Sequence, residues 1–171
     1  CYGVEHCGGG YVPSLNPCNG TYLTPPPAAT IASCFAGETA VTMADGSQKP
    51  IKKVTSGDMV MAFDSHKLTQ APARVTHTIK RIVDSYLLIN GSLRVTAKHR
   101  FYLSGLWVPA EQLKPGDQFL TVLGSKSAVM SIETVKRPLV VYNLTVERFQ
   151  NFFAGGFLVH NNKGHEFVFG D

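Results

Sequence analysis

Turn signals recur at short intervals through residues 34–161, and they constrain what this chain can fold into more than any other feature. Each contains glycine, most often beside Asp, Asn or Ser, as tight β turns do. No segment between them keeps a hydrophobic period of 3.6 residues over 11 or more positions, although Ala110–Leu113 fits a single helical turn. The sequence therefore predicts an all-β domain. The turn signals are Asp45-Gly46, Ser56-Gly57-Asp58, Asn90-Gly91, Ser104-Gly105, Pro115-Gly116-Asp117 and Gly155-Gly156.

The segments between these turns are short and alternate like strands. The 16 Gly, 10 Pro, 10 Phe and 6 Tyr of the chain agree with many turns and short strands. We predict strands at Thr39–Met43, Met59–Phe63, Ala73–Ile79, Ser85–Ile89, Leu93–Thr96, Arg100–Leu103, Phe119–Leu123, Ala128–Val135, Val140–Val146 and Phe157–Val159.

The chain also contains an internal repeat. The pattern Gly46-x3-Pro50-x6-Gly57-Asp58 recurs as Gly105-x3-Pro109-x6-Gly116-Asp117, at a constant offset of 59 residues, and Val75–Arg81 is similar to Ser131–Arg137. We interpret the repeat as two similar β subunits within one domain. The alternative is that β proteins reuse proline and Gly-Asp turns without any such relationship.

Charge and hydropathy exclude two classes of partner. The 171 residues carry 16 Lys and Arg against 12 Asp and Glu, a net charge of +4, and the basic residues are scattered rather than clustered as in a nucleic-acid footprint. No apolar run approaches the roughly 20 residues of a membrane-spanning helix. We therefore expect no nucleic acid and no membrane as partners, and a monomer.

Residues 1–33 differ from the rest. They hold a glycine triplet, the proline triplet 25–27 and three of the four cysteines, Cys1, Cys7 and Cys18, and they are expected to form a loop-rich flank that ends in a polyproline linker. The irregular spacing of these cysteines favours disulfides, or a piece of a larger cysteine-rich module, over metal binding, and we predict no metal and no cofactor. Since the chain begins with cysteine and shows no signal-like segment, we interpret it as part of a longer precursor, such as a bacterial secreted or surface protein.

Cys34 stands alone at the start of the predicted β domain. A thiol at the first residue of a domain can attack the carbonyl group just upstream, that of Ser33, and form a thioester. The reaction needs a polarised amide and a proton donor for its nitrogen. Thr96 and His99, three residues apart near a strand end, offer a hydroxyl and an imidazole for one peptide group.

The last predicted strand closes on His160-Asn161. An Asn side-chain amide can attack its own backbone carbonyl, which forms a succinimide and cleaves the following peptide bond, here Asn161–Asn162. A neighbour must assist, and the imidazole of His160 titrates near neutrality. By itself a His-Asn pair is more often the start of a turn.

Residues 34–161 resemble the Hint domain, the fold shared by inteins and hedgehog autoprocessing domains. The resemblance implies an all-β, horseshoe-shaped, pseudo-two-fold domain with two related β subunits, and it leaves no room for an endonuclease insertion. It divides the chain into an upstream flank, 1–33, an autoprocessing domain, 34–161, and a downstream flank, 162–171. The blocks that carry it are Cys34–Ser47, Thr96-x-x-His99, Val141–Val146 with Asn151–Ala154, and Phe157–Asn161.

The resemblance also implies roles for single residues. Cys34 would be the nucleophile of an acyl shift at Ser33–Cys34, His99 would protonate the departing amide nitrogen, and Thr96 would polarise that amide. Asn161 would cyclise with the help of His160. The domain would be a single-turnover, self-cleaving one whose substrate is its own flanks, with water or an external thiol as the second nucleophile.

Three positions depart from the family pattern. Splicing inteins have Cys, Ser or Thr after the terminal Asn, whereas this chain has Asn162, which predicts cleavage of the flanks with little or no conventional ligation. Asn143 stands where the family often has Asp, and Gln150 where it often has His, so each is a supporting position that has lost a charge or an acid–base group. In these respects the chain looks more like a bacterial intein-like domain.

Three alternatives remain open at this point. The first is splicing by direct attack of the amine of residue 162 on the thioester, and the second is hedgehog-like transfer of the acyl group to an external nucleophile. The third is a non-catalytic β module in which the site residues are relics.

Overall fold

The computed structural model describes residues 33–161, which contain fifteen strands and two 3₁₀ turns but no α-helix. The all-β prediction is confirmed, and the helical turn predicted at Ala110–Leu113 is present as the 3₁₀ turn Ala110–Gln112; the other 3₁₀ turn is Ile51–Lys53. The strands are β1 (Phe35–Ala36), β2 (Ala40–Thr42), β3 (Gln48–Pro50), β4 (Met59–Asp64), β5 (Thr69–Val83), β6 (Tyr86–Ile89), β7 (Leu93–Val95), β8 (Arg100–Leu103), β9 (Leu106–Pro109), β10 (Gln118–Leu120), β11 (Lys126–Ala128), β12 (Ile132–Val135), β13 (Leu139–Val146), β14 (Asn151–Ala154) and β15 (Phe157–His160).

The strands form two larger sheets and one hairpin. One sheet has the order β12-β6-β7-β1-β13-β5-β4 and the other the order β3-β2-β14-β15-β8-β9, while β10 pairs with β11. In the first sheet the short strand β1 lies between β7 and β13, so that the start of the domain is inserted at the middle of the sheet. The turn between β6 and β7 is Asn90-Gly91-Ser92, in which Ser92 N donates to the Ile89 carbonyl and both Asn90 and Gly91 have positive φ, 53° and 71°.

The predicted repeat appears as two matching turns. Each of its prolines precedes one of the 3₁₀ turns, and the aspartate that ends each repeat unit caps a backbone N–H three residues earlier. Asp58 Oδ2 accepts a hydrogen bond from Thr55 N, and Asp117 Oδ2 accepts one from Lys114 N, both at 3.0 Å. The interpretation of two related β subunits is therefore confirmed at the level of backbone contacts.

The same correspondence extends to the turn that contains His99. The backbone carbonyl of Thr39 accepts a hydrogen bond from Ile51 N, and that of His99 accepts one from Ala110 N, both at 2.8 Å. A surface ion pair accompanies each turn with its signs exchanged, Glu38–Lys52 in the first subunit and Lys98–Glu111 in the second. His99 thus takes the position in the second subunit that Thr39 has in the first.

The second half of the predicted repeat is out of register. Val75 exchanges backbone hydrogen bonds with Gly57 and Asp58, and the residue that does the same in the second unit is Val129 rather than Ser131. The predicted strand Ala128–Val135 is likewise wrong, because the chain breaks there into β11 and β12, which join different sheets. The prediction also missed β1, β3, β9 and β14, which have only two to four residues each.

Aromatic side chains fill the core next to the start of the domain. Phe35 is fully buried, and its ring centroid lies 6.2 Å from that of Phe101 and 6.4 Å from that of Phe152, in edge-on contacts. Such contacts add to the free energy gained by burying the rings. In the described part of the chain, no helix is long and apolar enough to cross a membrane.

Candidate active site

Thr96 contacts the backbone of Cys34 on both sides of its α-carbon. Cys34 N donates a hydrogen bond to Thr96 Oγ1 at 2.8 Å, and Thr96 N donates to the Cys34 carbonyl at 3.0 Å. Both residues are almost fully buried, and the Cys34 thiol is free. The contact follows from the fold, because Thr96 comes directly after β7 and Cys34 directly before β1, which pairs with it.

The carbonyl of the Ser33–Cys34 peptide bond belongs to Ser33, and Asn143 contacts it. Asn143 Nδ2 donates a hydrogen bond to the Ser33 carbonyl oxygen, while Asn143 Oδ1 accepts one from Leu144 N at 2.8 Å. Asn143 lies in β13 and is 1% exposed. The Ser33–Cys34 peptide bond is therefore contacted by one buried side chain on its amide nitrogen and by another on its carbonyl oxygen.

His99 is completely buried beside this peptide bond. Its ring centroid lies 4.2 Å from that of Phe35, and the backbone carbonyls of Ser33 and His160 face it. Both carbonyls raise the pKa of the imidazole, yet neither ring nitrogen reaches full hydrogen-bond geometry with a partner within residues 33–161. Catalytic hydrogen bonds are often long or poorly aligned before substrate reacts, and they shorten as the reaction proceeds.

Burial moves the pKa values of the two titratable groups in opposite directions. Desolvation lowers the pKa of His99 to about 3 and raises the pKa of the Cys34 thiol to about 12, the latter opposed in part by the positive charge of Arg81. At neutral pH the resting site therefore holds a neutral imidazole and a neutral thiol.

Asn161 is held at the other end of the domain by backbone carbonyls. Asn161 N donates to the Gln150 carbonyl and Asn161 Nδ2 to the Val146 carbonyl, both at 3.0 Å. Its Oδ1 is buried with no hydrogen-bond partner among the described residues. His160 Nδ1 lies 2.8 Å from the Asn161 carbonyl oxygen, and the Trp107 ring meets the imidazole edge-on at 5.0 Å between centroids.

Two residues act in ways that the sequence did not indicate. Gln150 has an exposed side chain and contacts Asn161 through its backbone carbonyl, from a residue with φ of +56°. Trp107 is only partly buried, and its ring packs against that of His160. Arg81 was not indicated by the sequence either. It pairs with Val141 on the sheet face that also carries Asn143.

Most of the predicted site residues are brought together. Ser33, Cys34, Thr96 and His99 surround one peptide bond, and the His160 carbonyl connects His99 to the end that carries Asn161. Asn162 and the cysteines Cys1, Cys7 and Cys18 lie outside the described residues. Within residues 33–161, no three His, Cys, Asp or Glu side chains are grouped closely enough to hold a metal ion.

The buried imidazole should make stability depend on pH. Between about pH 6.5 and 3 the unfolded chain binds a proton at residue 99 that the native state does not, so the free energy of unfolding falls as the pH falls, by up to about 1.4 kcal/mol per unit. We expect His99→Gln to flatten this slope. Urea unfolding at pH 6.5, 5.5 and 4.5 measures it, with both proteins carrying Cys34→Ala and Asn161→Ala to keep the chain intact. Equal pH slopes of the free energy of unfolding in the two proteins would contradict the lowered pKa of His99.

The comparisons with known proteins agree with this geometry. The family model described as the pretoxin HINT domain matches residues 40–165. The replicative DNA helicase DnaB of Rhodothermus marinus is 33% identical over 92 residues, which are 50% of this chain and 10% of that protein, so the chain spans about a tenth of the length of this curated relative.

Solved structures give the same fold. A bacterial intein-like domain from Clostridium thermocellum superposes with a TM-score of 0.70 and 26% identity, covering 77% of this chain and 99% of the other. The DnaB intein from Synechocystis sp. PCC 6803 has a TM-score of 0.65 and 21% identity over 77% and 100% of the two chains, and supports the fold alone. Hint and intein domains act on their own flanking polypeptide by autocatalytic processing or splicing. With its all-β architecture, the two related β subunits within its one domain and the family match over residues 40–165, this chain belongs to the pretoxin HINT domain family.

Proposed function

We propose that residues 34–161 cleave the chain at Ser33–Cys34 and at Asn161–Asn162, once each per molecule. The observation that carries the proposal is the arrangement around the first junction. Its amide nitrogen contacts the buried Thr96 hydroxyl, and its carbonyl faces the buried imidazole of His99. Burial of polar side chains is costly unless they are hydrogen-bonded, and buried polar groups gathered around one backbone bond favour a functional site.

The first step is an acyl shift. Cys34 Sγ attacks the Ser33 carbonyl carbon, a C–S bond forms, the C–N bond to Cys34 breaks, and the thiol proton ends on the released amine. Because His99 is neutral in the resting site, its ring can relay the thiol proton to the departing nitrogen in one concerted transfer, without forming a separate buried imidazolium, so the step needs no proton from solvent. Water or an external thiol then cleaves the thioester and releases residues 1–33.

The second step is cyclisation of Asn161. Its Nδ2 attacks its own backbone carbonyl carbon, a ring C–N bond forms, the bond to Asn162 breaks, and the amide proton passes to the released amine. A proton on His160 Nδ1 would polarise the carbonyl oxygen 2.8 Å away. In the resting geometry Nδ2 donates to Val146, so the side chain has to rotate before it can attack.

Cleavage rather than conventional ligation is expected because residue 162 is Asn, whose amide is a poor nucleophile for a thioester. One observation favours splicing by aminolysis as a second candidate. The carbonyls of Ser33 and His160, one from each end of the domain, face the same imidazole, so the described residues next to the two junctions lie close together, as aminolysis would require. Since the matching family is described as a pretoxin domain, we expect the released segment to belong to a toxin precursor.

Intact mass measurement of the purified chain, with and without added thiol, tests the proposal. We expect fragment 1–33 as a thiol adduct, fragment 162–171, and a processed domain that ends in a succinimide or its hydrolysis product. Asn161→Ala should remove the last two species and keep the first. A ligated product of residues 1–33 and 162–171 would favour aminolysis, whereas a chain that stays intact with thiol at pH 6–9 would leave a non-catalytic module as the better description.

A further inference from the structure

We propose that Asn143 is a catalytic residue of the acyl shift, whose side-chain N–H stabilises the negative charge that develops on the Ser33 carbonyl oxygen. The inference rests on the proposed function and deepens it. The family resemblance by itself suggests that Asn143 is a weakened site residue, because the family often has an acid at this position and Asn143 lacks its charge.

The orientation of the Asn143 amide is fixed by its neighbours. Leu144 N can only donate a hydrogen bond, so the atom 2.8 Å from it must be the amide oxygen, Oδ1. The amide nitrogen then necessarily points to the Ser33 carbonyl oxygen, which can only accept. Reversal of the amide would place two donors against each other on one side and two acceptors on the other, both buried and unpaired.

The backbone that carries Asn143 is also fixed. Residue 143 lies in β13, which is paired with β1 on one side and with β5 on the other. The register pairs Phe35 with Tyr142, so the position of Cys34 stands opposite Asn143 and the junction lies beside its side chain. A donor held by the middle of a sheet needs no reorganisation when charge develops, which is the condition under which such donors contribute most to a rate.

An amide and a carboxylate behave oppositely at this place. The Asn143 amide donates a hydrogen bond at every pH, whereas an aspartate accepts when ionised and donates only when protonated. An ionised carboxylate beside a developing oxyanion would repel it. The structure therefore assigns to Asn143 a role that makes the first step independent of the protonation of this side chain.

Asn143→Asp tests the proposal because it keeps the acceptor for Leu144 and loses the permanent donor. We expect the rate of thiol-induced cleavage before Cys34 to fall by about 100-fold at pH 8, the usual effect of losing one such donor. The deficit relative to the wild type should shrink on going to pH 5.5, as desolvation favours the protonated carboxyl, which donates, against the opposing effects of Arg81 on the same sheet face and of the Leu144 N–H. Asn143→Ala should show a deficit of similar size that does not change with pH.

Asn90→Asp is the matched control. Asn90 also donates to a backbone carbonyl, that of Ala128, and accepts from the backbone N–H groups of Met130 and Ser131, but it lies in the turn between β6 and β7. We expect its cleavage rate before Cys34 to equal that of the wild type at each pH. Cleavage after Asn161, followed in the same samples, reports whether each variant is folded.

The outcomes separate this inference from the function on which it rests. If the wild type does not cleave before Cys34, the proposed function fails. If the wild type cleaves and Asn143→Asp shows a deficit that is absent or independent of pH, the function stands and the role of Asn143 as an oxyanion donor is wrong.

Discussion

Replacing Cys34 by alanine is expected to abolish cleavage before residue 34, because no other group within residues 33–161 has been placed to attack the Ser33 carbonyl carbon. The loss should be complete within the detection limit of mass spectrometry, with or without added thiol. Cleavage after Asn161 should persist, since its nucleophile and the contacts with Val146 and Gln150 do not involve the thiol. Time courses of the two released fragments measure both effects in one sample.

Cys18→Ala is the matched control for this experiment, as it removes another cysteine and keeps every described residue of the site. We expect its two cleavage rates to equal those of the wild type. Persistent thiol-dependent release of residues 1–33 from the Cys34→Ala protein would contradict the acyl shift. Equal loss of both cleavages would instead show that the substitution had disturbed the fold.

Replacing His99 by alanine is expected to change how the first cleavage depends on pH. The Cys34 thiol has its pKa raised to about 12, so without an internal base the reactive thiolate rises about tenfold per pH unit up to that value. In the wild type the imidazole, whose pKa burial lowers to about 3, stays neutral from pH 6 to 9 and relays the proton within the transition state, so the rate should depend far less on pH in this range. At pH 7 the variant should be slower by about 1000-fold, within the usual range for general acid–base catalysis, and the difference should shrink as the pH rises.

Single-turnover rates of thiol-induced cleavage at half-unit pH steps measure the two profiles. His77→Ala is the control, since His77 lies on an exposed face of β5 and contacts Thr76 rather than the junction. Its profile should superimpose on that of the wild type. A rate that does not change with pH in His99→Ala would contradict a role of His99 in proton transfer. So would a wild-type rate that rises with pH as steeply as that of the variant.

The sequence allowed the proposed reacting groups to be named, because they stand at the ends of the β domain and in blocks that resemble those of the Hint domain. Cys34 opens the β domain, His160 and Asn161 close it, and Thr96 and His99 end a strand between them. Their separation along the chain says little about distance in space. It is the insertion of β1 between β7 and β13 that brings Cys34 and Thr96 together.

Contacts made by the backbone, and the direction of an amide, could not be read from residue types. Gln150 and Val146 hold Asn161 through carbonyl groups that every residue possesses, so no side chain marks them. At residue 143 an Asp-to-Asn change looks like the loss of an acid until the positions of its two side-chain atoms are known. The short strands β1 and β3 were missed because two or three residues show no alternation, and their pairing depends on distant segments.

Strand β13 contacts both junctions of the domain. Asn143 reaches the Ser33 carbonyl, and three residues later the Val146 carbonyl receives the amide of Asn161, with a bulge between Thr145 and Val146 that adjusts the spacing. Successive carbonyls of a strand point toward opposite neighbouring strands, so adding or removing one residue there would turn away the carbonyl that accepts the Asn161 amide while leaving Asn143 in place. The spacing between the contacts to the two junctions is therefore set by four consecutive residues.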